Sequence, residues 1–295
     1  GAWCKKSERF IVKMRKAYCS ENSFLKGVRK HKNDKNDFNV WWLGQSGFLI
    51  QWNGKHLLMD PYLSESLTKK YAQTDKPHIR MTERIVNPLK MDFIDVVTAS
   101  HGHTDHLDPE TLLPLVKSNN NLDLIVPTAE VKLAMERSGL SKDKIKSINV
   151  GETIESNGFT IHAIPSAHEK IKKDKNGNHF YLGYVVRFGS WTIYHSGDTV
   201  EYDKMEKYLT EWNLDVVFLP INGRKKERRV AGNMWGHESA SLAKRINARA
   251  VIPHHYNMFT FNTESPKDFI DEAKNLGQLF FILENGQHWS SNQLK

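Results

Sequence analysis

The residues best suited to chemistry stand together: His101-Gly102-His103-Thr104-Asp105-His106 puts three imidazoles and a carboxylate into six positions. So many polar side chains cannot all turn into one apolar core, and both groups are ligands of first-row divalent metals. A loop that leaves a strand and enters a helix can aim alternate side chains at one point. This segment is so placed: it follows the apolar run 94–99 and precedes Asp108-Pro109-Glu110, where Asp suits a helix N-cap and Pro the first helical position. The bland alternative is a set of surface histidines in a polar loop. A metal needs further donors, and three occur where other predicted strands end, positions at which loops carry function. His168 follows residues 160–164 and the turn Pro165-Ser166-Ala167. Asp198 lies in Ser196-Gly197-Asp198-Thr199 after residues 191–194, and His255 in Pro253-His254-His255-Tyr256 after the strand at 250.

The elements that must position these residues are readable as periodic segments. Residues 40–62 predict two apolar strands joined at Asn53-Gly54, the strongest short hairpin signal. A polar excursion over 63–87 precedes the strand at 94–99. Next come a strand at 122–126 and a helix at 128–138 that Gly139 is placed to end. A hairpin centred on Asn157-Gly158 leads into a strand at 159–164, and strands at 181–187 and 191–194 pair across Phe188-Gly189-Ser190. Helices at 204–212, 237–246 and 266–275 then alternate with strands at 215–219, 250–253 and 279–283. Hairpins mixed with strand and helix alternation in each half predict an α/β protein, an αββα sandwich of two mixed sheets with helices on the outer faces. Phe10, Ile11, Met14 and Tyr18 recur at helical spacing, so residues 3–18 predict a short basic amphipathic helix. With the polar linker behind it, this makes residues 1–39 an N-terminal extension to a domain over 40–295.

The chain has 295 residues, with 42 Lys and Arg against 34 Asp and Glu. Its composition, 39% hydrophobic and 26% charged, excludes collagen-like, low-complexity and wholly disordered classes. No apolar run approaches the roughly 20 residues of a membrane span. Much of the positive excess sits in residues 26–35, read as a solvated linker, and in Arg224-Lys225-Lys226-Glu227-Arg228-Arg229, read as an exposed loop. Basic residues are not interleaved with aromatics along a groove-like segment, which disfavours a nucleic-acid partner. Cys4 and Cys19 are too few for a disulfide framework, and the start lacks a secretory leader, so a reducing cytoplasm is the expected compartment. Neither cysteine, nor Ser46 in Gly44-Gln45-Ser46-Gly47, has a base placed beside it or the spacing of a nucleophile elbow. His162 within a strand, His195 at a strand end and His237 opening a helix are assigned hydrogen-bonded roles rather than metal.

Taken in order, the H-x-H-x-D-H segment, a lone downstream His, Gly197-Asp198-Thr199 and Pro253-His254-His255-Tyr256 resemble the metallo-β-lactamase superfamily over about residues 40–289. Within it, Trp41-Trp42-Leu43-Gly44, Asp60-Pro61-Tyr62, Ile221-Asn222-Gly223-Arg224 and Gly232-Asn233-Met234 are similar to the branch of L-ascorbate-6-phosphate lactonase-like hydrolases. The resemblance implies that His101, His103 and His168 hold one divalent metal and Asp105, His106 and His255 another, with Asp198 bridging. The family's Pro-x-His-Tyr spacing selects His255 over His254, and Asn257 stands where related sequences carry Asp. Asp60 resembles the outer carboxylate that orients a ligand imidazole, with a turn or capping role as the alternative. Nitrogen and oxygen donors without cysteine suit Zn or Mn.

The function so implied is a hydrolase in which a metal-bridging hydroxide opens a lactone or related ester of an anionic small molecule. Asp105 would orient the hydroxide and take its proton, while Arg224 would clamp a phosphate or carboxylate on the substrate. The alternative for Arg224 is a solvated basic loop. The same centre would serve a phosphodiesterase or a phospholipase D-like hydrolase. A metal-binding scaffold without turnover is the non-enzymatic alternative, and it predicts an incomplete ligand set. A homo-oligomer is compatible with all of these.

Overall fold

The computed structural model describes residues 14–295. The predicted helix at 3–18 lies largely outside them, and residues 14–20 are not helical. Two sheets form the body. The first contains β1 (Asn39–Trp42), β2 (Phe48–Trp52), β3 (Lys55–Met59), β4 (Val96–Thr98), β5 (Asp123–Pro127) and β6 (Ile145–Ile148). The second contains β7 (Thr153–Ser156), β8 (Phe159–Pro165), β9 (Leu182–Phe188), β10 (Trp191–His195), β11 (Val216–Pro220) and β12 (Ala250–His254). A last strand, β13 (His288–Ser290), returns to the first sheet beside β1. Both sheets are mixed: β3 to β6 run parallel after an antiparallel meander, and β10 to β12 run parallel after another.

Strand alternation decides which core each residue fills. Val40, Trp42, Phe48, Ile50, Leu57 and Met59 turn into the space between the sheets. Trp41, Leu43, Leu49 and Leu58 turn the other way, against helices. That is why the run at residues 40–43 is apolar at every position: its strand is buried on both faces. Between the sheets, Phe38 meets the rings of Phe188, Trp191 and Trp289 with centroids 5.1 to 5.6 Å apart.

Seven α-helices are described: α1 (Glu21–Lys30), α2 (Ser66–Tyr71), α3 (Pro109–Ser118), α4 (Val131–Ser138), α5 (Met205–Thr210), α6 (Gly236–Arg245) and α7 (Lys267–Asn275). Helix α1 corrects the linker reading of residues 26–35, which are helical as far as Lys30. Ser20 caps it by accepting the Ser23 N–H, and Phe24, Leu25 and Val28 bury one face beside Trp41 while the charges face out. Helix α3 begins as expected, with Asp108 accepting the Glu110 N–H and Pro109 in the first turn, and Gly139 ends α4 at a left-handed φ of 71°. The expected strand at 279–283 does not form. It pairs with β12 only around Val251, because Pro253 has no N–H with which to extend the ladder. Among the described residues no helix is long and apolar enough to cross a membrane.

Candidate metal centre

Four strand ends converge. The loop between β4 and α3 carries His101, His103, Asp105 and His106, and the segments after β8, β10 and β12 bring His168, Asp198 and His255. Between His103 and His106 the loop turns tightly, with the backbone N–H groups of His106 and Leu107 both donating to the His103 carbonyl at 3.0 and 2.9 Å. One group of donors is His101, His103 and His168; a second is Asp105, His106, Asp198 and His255. Within each, the candidate ligand atoms lie no more than 4.8 Å from one another.

Asp198 joins the groups. Its Oδ2 lies 3.2 Å from His106 Nε2, 3.4 Å from His255 Nε2 and 3.6 Å from His168 Nε2, so one carboxylate oxygen borders imidazoles of both sets. Asp105 Oδ2 stands 3.5 Å from His106 Nε2 and 3.7 Å from His255 Nε2. The fit to divalent cations shows in what these atoms lack. His101 Nε2 and Asp198 Oδ1 are buried without a hydrogen-bond partner, a condition that costs about 1–3 kcal/mol for each group unless something else satisfies it.

The outer nitrogens are tied down, which fixes where the lone pairs point. Asp60 accepts the Ser100 N–H at 2.7 Å, the Ser100 hydroxyl at 2.5 Å and His106 Nδ1–H at 2.6 Å. With its proton given to Asp60, the Ser100 hydroxyl accepts from His101 Nδ1 at 2.9 Å. His168 Nδ1 donates to the Gly232 carbonyl at 2.9 Å. His101 and His168 are thereby held as tautomers with Nε2 free for a cation, and His106 is oriented with Nε2 toward Asp105 and Asp198. Burial together with the neighbouring imidazoles of His106 and His103 pushes His101 well below its ordinary range, and burial lowers His168, so both stay neutral. Burial works against a charge on His106, but Asp198, Asp105 and Asp60 outweigh it and raise this imidazole well above its ordinary range. Burial likewise opposes ionisation of Asp198, and His106 and His255 hold it well below the usual carboxylate range all the same.

A cleft of about 290 Å³ opens over the donors, with Gln45, Leu67, Lys70, Tyr71, Val230 and Phe259 in its walls. Arg224 is not among its lining residues. Its guanidinium makes a bidentate bond to Glu238 at 2.6 and 2.7 Å, and it lines a separate depression with Glu169 and Glu201. His254 turns away from the centre and stacks on His195 at 4.9 Å. Asn257 makes turn bonds through its backbone with Thr263 and Thr82. His195 donates from Nε2 to the Ser46 carbonyl and accepts the Gly197 N–H at Nδ1, His162 pairs with Thr153, and His237 pairs with Asp268. Sequence reasoning missed Gln45, Ser100 and Tyr181, the last of which packs its ring 5.2 to 6.1 Å from those of His101, His168 and His103. Ser100 had a signal, as the hydroxyl between the strand and the histidine run; Gln45 and Tyr181 had none.

Comparison with known proteins places this geometry. A family model for the β-lactamase superfamily domain matches residues 39–255. A UPF0173 metal-dependent hydrolase of Caldivirga maquilingensis is 30% identical over 236 residues, 80% of this chain and 89% of that protein. One from Pyrobaculum aerophilum is 27% identical over 231 residues, 78% and 89% of the two chains. The metallo-β-lactamase fold protein YhfI of Bacillus subtilis superposes with a TM-score of 0.62 at 19% identity, over 87% of this chain and 100% of its own. The family match spans three quarters of the described chain and includes every donor-bearing loop, so the chain belongs to the metallo-β-lactamase superfamily, as one of its metal-dependent hydrolases.

Proposed function

We propose that the chain is a binuclear hydrolase that opens a lactone or related ester of a small anionic molecule. The observation that carries this reading is the place of Asp198, whose Oδ2 lies within 3.6 Å of imidazoles from both donor groups. Two cations, Zn or Mn by ligand chemistry, would supply Lewis acidity and a water acidified toward neutrality. His101, His103 and His168 would hold one, Asp105, His106 and His255 the other, and Asp198 both. Asp105 is more open than Asp198, with 15% of its side chain exposed against 3%, which suits it to orient the attacking water and take its proton. Lys70 lines the cleft and makes no ion pair among the described residues, which suits it to a carboxylate or phosphate on the substrate. The guanidinium in the same lining, that of Arg137, is engaged with the Gly102 and Leu107 carbonyls.

The test is a screen of lactones, phosphodiesters and thioesters with Zn²⁺ and Mn²⁺, run beside elemental analysis. Two equivalents of metal and turnover of lactones are expected, with Asp198→Asn losing both turnover and at least one equivalent. Turnover confined to phosphodiesters would transfer the assignment to phosphoryl chemistry. Asp198→Asn protein that kept full activity would overturn the binuclear reading.

A further inference from the structure

We infer that Gln45 is a positioning residue of this centre, its carboxamide N–H holding Asp105 in the attitude that faces His106, Asp198 and His255. The inference rests on the binuclear reading and adds to it a residue outside the seven donors. Gln45 sits in the turn between β1 and β2, separated by 60 residues from Asp105 and 210 from His255. Its backbone adopts a left-handed φ of 49°, which costs a non-glycine residue about 1–2 kcal/mol.

That conformation is over-determined by its surroundings. The Gln45 carbonyl accepts from the Trp42 indole at 3.0 Å and from the His255 backbone N–H at 2.9 Å. The Ser46 carbonyl accepts from His195 Nε2 at 2.8 Å. The ends of the turn are constrained: Gly44 takes a left-handed φ of 87°, and a Cβ on Gly47 would lie 3.2 Å from the Gly44 carbonyl. A turn braced by β12, by the end of β10 and by the Trp42 ring has one direction in which to send its side chain.

The side chain goes to the centre. Gln45 is 2% exposed, its Nε2 donates to Asp105 Oδ2 at 2.9 Å, and the same nitrogen lies 3.3 Å from His255 Nε2. It touches two members of the second donor group and none of the first. Packing does not call for an amide here: Oε1 is buried without a partner, and a methionine would fill the same length without that cost. What the amide adds is the one hydrogen bond under 3 Å to a carboxylate whose imidazole neighbours stand at 3.5 and 3.7 Å. Removing an outer partner of this kind weakens metal binding by about 10–100-fold.

Two variants of the full chain test this. Gln45→Met keeps the length and removes the N–H; Gln45→Glu keeps the shape and replaces a donor with an acceptor. Zn²⁺ is titrated against a chromophoric chelator to resolve both equivalents, with urea unfolding of chelator-treated protein alongside. Gln45→Met is expected to weaken the second equivalent by about 10–100-fold, with the first equivalent and the unfolding midpoint unchanged. Gln45→Glu is expected to weaken it at least as much, since it sets two carboxylates against each other. An unchanged second equivalent in Gln45→Met refutes the role. Equal weakening of both equivalents with a lowered midpoint would show that the turn only supports the fold. Tighter binding in Gln45→Glu would make residue 45 a ligand rather than a positioning group. Wild-type protein that took fewer than two equivalents would defeat the binuclear reading itself, an outcome distinct from all three.

Discussion

Replacing Asp60 by Asn probes the layer behind the donors with almost no change in volume. Asp60 is 1% exposed and accepts three bonds, two from Ser100 and one from His106 Nδ1. Asn keeps an acceptor for the Ser100 N–H but turns an amide N–H toward His106. A neutral imidazole has one lone pair and one N–H, so His106 must then carry its proton on Nε2, the atom that faces Asp105 and Asp198. The charge-assisted bonds from His106 and the Ser100 hydroxyl are lost, at about 1.5–3 kcal/mol each, offset in part by the new bond from the amide. The net loss of stability is expected to be about 2–4 kcal/mol in urea unfolding of chelator-treated protein. Cation affinity at the His106 group should fall by about 10–100-fold, equivalent to about 1.4–2.7 kcal/mol. Ser100→Ala is the companion: it leaves the His106–Asp60 bond in place and removes the partner of His101 Nδ1, so it should weaken the other equivalent. Asp60→Asn protein that bound both equivalents as the wild type does would refute the tautomer argument, and identical effects of the two variants would refute the division of labour.

Three further outcomes are expected. Gly197→Ala should cost about 3 kcal/mol or more and abolish cation binding, because φ is 59° and the new Cβ would lie 2.5 Å from Ser100 Cβ; Gly158→Ala, equally left-handed at 87° but with open space around it, should cost only about 1–2 kcal/mol, and equal losses in urea melts would rule the clash out. Cation binding at pH 7 should release protons, since His106 is raised well above its ordinary range by carboxylates that outweigh its burial; calorimetry in two buffers of different ionisation heat reads this directly, and buffer-independent heats would contradict it. Burial, with help from His31 and Lys30, lowers His288 to about 4. Its contribution is therefore complete above about pH 6.5 and lost as pH falls toward 4, a slice of about 1–2 kcal/mol after screening at a partly exposed ring. His288→Phe should flatten the stability curve in that window, and parallel curves for the two proteins would assign the acid loss elsewhere.

The elements readable from sequence are those whose local chemistry and burial agree. Continuous apolar runs within residues 40–59, the two Asn-Gly turns and the Asp-Pro start of α3 each report one structure, and the sheets follow from them. Helix α1 was hidden because Lys26, Arg29 and Lys30 dilute a face carried by only Phe24, Leu25 and Val28. The run at 279–283 looks like a strand by composition, and only its pairing partner, with Pro253 in the way, decides otherwise. Of the candidate centre, the seven donors were readable because three imidazoles and a carboxylate crowd into residues 101–106 and further donors recur after three other strands. Gln45 was not, since a glutamine between glycines carries no signal until the turn is closed against β12. Arg224 was picked out by type and charge, while its occupation by Glu238 lies 14 residues away and is a matter of tertiary structure.

The cleft divides its labour by chain segment. Its floor is made by the donor-bearing strand ends, but Leu67 and Tyr71 come from α2, in the connection between β3 and β4 that contributes none of the seven donors. That helix can exchange its cleft-facing residues without displacing a donor imidazole. Selection can therefore rework what enters the cleft while leaving the reactive apparatus untouched, so a single ancestral floor can be refitted for many substrates by changing its walls.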